Sequence, residues 1–183
     1  MQHMAREDHN CIFWPLKTCA VYSDGMAVTE YEFRHALSRF PSGVTVVTTR
    51  NAAGHAYGIT VSAFCSVSLV PPMVLVCIEK ITASHPALTE AGSFVVNILH
   101  EDQRALSERF AEPAADKFSD VDTEENKAGI PMLKAALANL ECRLVNAYDG
   151  GDHTIFVGEV ERVTVGDGVP LIYSQGDYAG IKK

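Results

Sequence analysis

Two stretches and one histidine in the 183-residue chain place hydroxyl, cationic or imidazole groups where a small ligand could be held. Thr60, Ser62 and Phe64 alternate along one extended element, with Ala63 and Cys65 pointing the other way. Two hydroxyls beside backbone amides can accept from and donate to the polar edge of a heterocycle or to a phosphate. The same residues also occur in ordinary strands. Lys80 and Ser84 flank the predicted start of a helix, where exposed amides and the helix dipole favour an anion; a solvated lysine and a plain N-cap give the same pattern. His153 stands beside the turn Asp149-Gly-Gly-Asp152 at the start of a predicted strand. Its imidazole can donate to a group on which negative charge develops.

Other chemistries lack their residues. The seven histidines show no paired ligand spacing, and Cys11, Cys19, Cys65, Cys77 and Cys142 form no C-x-x-C pair, so no metal site is expected. An odd number of scattered cysteines suits free thiols in a reducing compartment. Cys77 and Cys142 fall in apolar runs and read as inert core residues. There is no G-x-S-x-G elbow for acyl transfer and no G-x-G-x-x-G after a strand, so any nicotinamide would bind without the Rossmann fingerprint.

The elements that must position these groups are mostly strands. Val44 to Thr49 is a β-branched run, and Asn51-Ala-Ala-Gly54 connects it to a second extended run, Ala56 to Val61. Cys65 to Val70 and Met73 to Ile78 follow, divided by Pro71-Pro72, which cannot donate ladder hydrogen bonds. Ser93 to Leu99, Leu137 to Tyr148, His153 to Val165 and Leu171 to Ser174 complete the strand pattern. Gly158, inside the second long strand, predicts a bulge or a close backbone approach. Thr29 and Glu32 form a capping box before an amphipathic helix that should cover one mouth of a barrel. Ser84 to Gly92 and Glu101 to Phe110 read as further helices, followed by a long acidic loop from Ala111 to Gly129. So many short strands joined by tight turns indicate an antiparallel barrel or sandwich.

Residues GVTVVTT from Gly43, GITVSAF from Gly58 to Phe64 and SVSLVPP from Ser66 to Pro72 resemble the short-chain flavin reductase family, the reductase components of two-component flavin monooxygenases. The likeness continues in DKF at Asp116 to Phe118, GDH at Gly151 to His153, GEV at Gly158 to Val160 and PLIY at Pro170 to Tyr173. It implies a mainly β fold, a split β-barrel of the Greek-key, FMN-binding type with about six strands and short peripheral helices. The implied reaction is hydride transfer from NADH or NADPH to FMN or FAD, with reduced flavin passing by diffusion to a separate flavin-dependent oxygenase. A homodimer whose interface helps shape the flavin sites is implied as well. By residue, the resemblance lays Thr60, Val61, Ser62, Ala63 and Phe64 along the flavin and puts Lys80 and Ser84 at its phosphate. Arg109, Lys117 and Phe118 fall in a flavin-contacting loop, and His153 takes the nicotinamide side. Two rivals stay open: a flavin carrier or sensor of the same fold, and a flavoprotein that reduces ferric iron or a corrinoid.

Composition bounds the rest. With 47% hydrophobic and 21% charged residues the chain is globular, and a net charge of −8 disfavours nucleic acid and anionic membranes. No apolar run approaches the roughly 20 residues of a membrane span. The first residues, MQHMAREDHN, lack the order of a signal peptide, so a cytoplasmic protein is expected. Residues 1–28 read as an extension carrying one apolar patch, CIFWPL, and residues 29–183 as a single domain.

Overall fold

The computed structural model describes residues 28–114 and 116–181. The extension read over residues 1–28, with its CIFWPL patch, lies outside them apart from Val28. In chain order the elements are α1 (Glu30–Leu37), β1 (Ser42–Gly43), β2 (Thr45–Arg50), β3 (Ala56–Val61), β4 (Phe64–Leu69), β5 (Pro72–Glu79), α2 (Ser84–Ala91) and β6 (Ser93–Ile98). A 3-10 turn at Glu101–Gln103 then leads into α3 (Arg104–Ala111), followed by β7 (Thr123–Glu125), β8 (Pro131–Leu133), β9 (Ala138–Gly150), β10 (His153–Val165), β11 (Ile172–Ser174) and β12 (Asp177–Ala179).

Seven strands form one antiparallel sheet in the order β3-β2-β6-β9-β10-β5-β4. β3 and β4 are its opposite edges, yet only Ser62 and Ala63 separate them in the chain. Three residue steps reach about 11 Å at most, so the sheet has to roll until its edges are neighbours. The result is a barrel with a split between β3 and β4, one strand larger than the resemblance implied.

β2 shows why the sequence there is β-branched throughout instead of alternating with polar residues. Val47 faces the barrel core with Val76, Ile78, Phe94 and Phe156, whereas Val46 packs on the other face with Leu99, Phe110 and Leu171. A strand buried on both sides needs apolar or self-satisfied side chains everywhere. Its threonines comply by donating to carbonyls: Thr45 to Val61, Thr48 to Pro131 and Thr49 to Ser93, at 2.6–2.8 Å. At Gly158 the β9–β10 register shifts, and a Cβ there would stand 2.5 Å from the Phe94 ring; bulge and close approach coincide.

The helices depart from expectation in one respect. α1 has its capping box, with Glu32 N donating to Thr29 Oγ1 and Thr29 N to the Glu32 carboxylate, but none of its residues is buried. It does not plug the barrel. Leu88 of α2 enters that core instead, leaving Tyr31, Phe33 and Leu37 of α1 exposed. The acidic loop is also less irregular than its composition suggests, because β7 within it pairs with β8. The end of this segment is held by Asn97, fully buried in β6. The Asn97 amide donates to Val46 O and Thr48 Oγ1 and accepts from Leu133 N and Asn139 Nδ2.

Candidate functional site

The predicted residues fall into three groups around the split. The first is the crossing from β3 to β4. Strand geometry ends at Val61 and resumes at Phe64, so the expected alternation of Thr60, Ser62 and Phe64 on one face is interrupted by a tight turn in which Phe64 N donates to Ser62 O at 2.9 Å. Thr60 is buried and donates its hydroxyl to Ser107 O in α3. Val61 is a core residue, and Phe64 packs against the same core. Ser62 is half-buried and Ala63 exposed. Among the described residues the Ser62 hydroxyl has no hydrogen-bond partner, which makes it the one free side-chain donor of this crossing.

The second group lies on the α3 side. Lys117 Nζ donates to Gly58 O at 3.2 Å and to Phe110 O at 2.9 Å, capping the last turn of α3. Burial pushes its pKa below the usual lysine value, against a smaller opposing pull from Glu112. Phe118 meets Phe110 edge-on with ring centroids 5.1 Å apart, and Gly58 is where that pair closes on β3, since a Cβ there would lie 2.5 Å from the Phe110 ring. Arg109 is exposed and donates to Ser119 O. Ser107 joins this group to the crossing and to the C-terminal hairpin, accepting from the Tyr178 hydroxyl at 2.8 Å.

The third group gathers at the end of β5. Ala63 O accepts from Cys77 N, so the crossing sits beside the last residues of that strand, and Glu79 pairs with His153 at the start of β10. His153 Nδ1 lies 2.7 Å from Asp152 Oδ1. Lys80 is exposed, but its charged end is engaged. Its ammonium pairs with Asp149 and donates to Gly151 O, while its backbone N donates to Asp152 O. The Lys80 bond lowers the Asp149 carboxyl pKa below its ordinary value. Ser84 is buried at the first turn of α2, but it is not the N-cap. Ala83 holds that position and supplies no side-chain cap, because the chain is already helical there.

Two residues of this group were not singled out from sequence. His85 Nε2 lies 2.8 Å from Thr154 Oγ1, with its ring edge-on to Phe156. Desolvation, and secondarily the Lys80 charge, lower its pKa. Asp149 reads locally as a turn former, and nothing in its neighbourhood points to a lysine far back in the chain. Cys142 is buried, its thiol pushed up to about 12 by desolvation. Cys77, expected in the core, lies half-buried on the outer face of β5. Among the described residues no group of His, Cys, Asp and Glu could hold a metal ion.

Comparison with known proteins places this geometry. The family described as flavin reductase like domain matches residues 37–182. The chain is 46% identical over 147 residues to the reductase component of a 4-nitrophenol 4-monooxygenase/4-nitrocatechol 2-monooxygenase from Rhodococcus opacus, covering 80% of this chain and 78% of that one. It is 47% identical over 146 residues to the FMN reductase (NADH) SmoA of Agrobacterium fabrum, covering 80% and 83%. Among solved structures, the NADH:FAD oxidoreductase SgcE6 of Streptomyces globisporus, in complex with NAD and FAD fragments, superposes with a TM-score of 0.79. That match is at 36% identity and covers 83% of this chain and 92% of that one.

Proposed function

The chain belongs to the flavin reductase like domain family, and from that membership we propose that it is an NADH:flavin oxidoreductase. It takes a hydride from NADH, delivers it to FMN or FAD, and supplies the reduced flavin to a separate monooxygenase component. NADPH is not part of the proposal, since the relatives named for their donor use NADH. The observation that carries the reading is the split itself. The half-buried Ser62, with its free hydroxyl, and the exposed Ala63 form the crossing between the two sheet edges, and Ala63 is tied to Cys77 near the end of β5, the strand whose Glu79 pairs with His153.

Bound flavin supplies the electron-accepting ring; the protein supplies position. Ser62 and the backbone of Thr60 to Ala63 would hold the polar edge of that ring, with Val61 and Phe64 anchoring the crossing in the barrel core. Ser84 and the first-turn amides of α2 offer donors to a phosphate. Phe118 gives an apolar wall, and Arg109 and Lys117 flank it, Lys117 chiefly by holding α3 to β3. The His153 imidazole, oriented by Asp152, would serve the nicotinamide carboxamide or the flavin edge. Holding donor and acceptor rings in register is the main service the site performs.

The test is anaerobic absorbance. Purified protein mixed with NADH and excess FMN or FAD should bleach the visible flavin band, at a rate that saturates with free flavin. Bound flavin that never bleaches would leave a carrier and overturn the reading.

Residues 29–183 form the catalytic domain in this proposal, with 1–28 as an extension. The protein acts as a homodimer in the cytoplasm. Tyr31, Phe33, Leu37 and Phe40 are all about half or more exposed, an apolar surface of the kind a second subunit covers. No helix of the described residues is long and apolar enough to cross a membrane. Sedimentation at micromolar concentration should give twice the chain mass.

A further inference from the structure

We infer that Lys80 and Asp149 are positioning residues for His153: together they latch the β9–β10 turn to the loop after β5, and Lys80 does not serve as a phosphate ligand. The inference rests on the proposed role of His153 toward the nicotinamide. Three bonds make the latch. Lys80 Nζ reaches the Asp149 carboxylate and Gly151 O, and Lys80 N reaches Asp152 O. All three acceptors lie within four residues before His153, so the turn is gripped at both shoulders and along the backbone.

The His153 backbone is fixed on both sides, by Glu79 of β5 and by Gly150 of β9, and its ring is oriented by Asp152. Asp152 itself lies outside the ladder: it and Gly151, with φ +81°, form the two-residue tip between the paired residues Gly150 and His153. A tip containing such a glycine has little rigidity of its own. Without the latch the carboxylate that orients His153 would move with the turn, and a small misplacement of a donor is costly in a reaction that depends on alignment. Lys80 also has its charge already compensated by an acceptor set, which lowers its value as a partner for a phosphate.

The two roles differ in sign, which makes the test sharp. Lys80→Met, Asp149→Asn and the double variant are assayed with NADH and either FMN or riboflavin, which lacks the phosphate. The latch requires that each single variant lowers kcat/KM for NADH by about 10-fold, equally with both flavins, and that the double variant is no worse than either single. Lys80→Arg should recover most of the loss. A phosphate ligand would give the opposite pattern: Lys80→Met would lose FMN selectively, and Asp149→Asn would tighten FMN relative to riboflavin by freeing the cation. That pattern, or additive effects in the double variant, overturns the proposal. His153→Ala is run alongside. If it is impaired while the latch variants are normal, the latch alone falls; if His153→Ala is itself normal, the reading of His153 falls and takes the latch with it.

Discussion

Thr60 donates its hydroxyl hydrogen to the Ser107 carbonyl at 2.6 Å, tying the edge strand β3 to α3 across the outer face of the barrel. The two hydroxyls that look equivalent in sequence, Thr60 and Ser62, therefore do different work. Thr60→Val removes a buried hydrogen bond, the Ser107 carbonyl keeping its helical partner within α3, and should cost about 0.5–1.5 kcal/mol of stability, with flavin affinity changed little. Ser62→Ala should leave stability unchanged and weaken flavin binding about 2- to 10-fold, the net worth of one hydrogen bond. Urea unfolding and flavin fluorescence titration on the two variants separate these outcomes; equal flavin affinity in Ser62→Ala removes it from the site.

His153→Ala is expected to lower kcat/KM for NADH by about 10- to 1000-fold, the range for loss of one donor to developing charge. Stopped-flow reduction under anaerobic conditions measures it directly. Unchanged kinetics would take His153 out of the mechanism.

Gly158→Ala should be destabilising without touching the site. The added carbon would sit 2.5 Å from the Phe94 ring and 2.9 Å from Cys142 Cβ, and both neighbours are buried in the barrel core. Overpacking of this kind costs about 1–3 kcal/mol, measurable as a lower urea midpoint with an unchanged slope.

His85 gives a pH dependence with a definite sign. Its pKa is lowered by desolvation and by Lys80, so below the ordinary histidine value the unfolded chain takes up a proton that the folded chain resists. The stabilisation that neutral His85 provides is present above that value and is lost as pH falls through it. The stability advantage of wild type over His85→Gln should shrink between about pH 7.5 and pH 5. A difference that stays constant or grows on acidification would show that His85 does not titrate as described.

The strands were legible because their signals are local. Ala56–Val61 and His153–Val165 form where β-branched runs end at turn residues, and the Asp149-Gly-Gly-Asp152 turn joins its hairpin as expected. What escaped is set by tertiary pairing. The alternation through Thr60, Ser62 and Phe64 breaks because the chain must change sheet edges there, and no local pattern encodes that. The capping box of α1 was readable, but the face it presents was not, since Leu88 from a later helix fills the core that α1 was expected to cover. Lys80, just before a helix, reads equally as an anion ligand or a solvated lysine, and nothing local signals its pairing. Its acceptors, Asp149 and Gly151, lie 69 and 71 residues further on, beyond the reach of any spacing rule.

Asn97 has further consequences for how this fold can vary. Its amide is bonded on both ends to β2, to Leu133 and to Asn139, and Thr48 fastens Pro131 beside it. The chain from Pro131 onward is thus registered to the barrel from inside, whatever precedes it. A change of length between α3 and β7 costs little in loop entropy and puts at risk the Lys117 and Phe118 contacts to α3 and β3, while the same change between Pro131 and Asn139 would strand several buried polar groups. The outer cover over α3 and the barrel wall are therefore anchored separately, and a fault in the first need not propagate to the second.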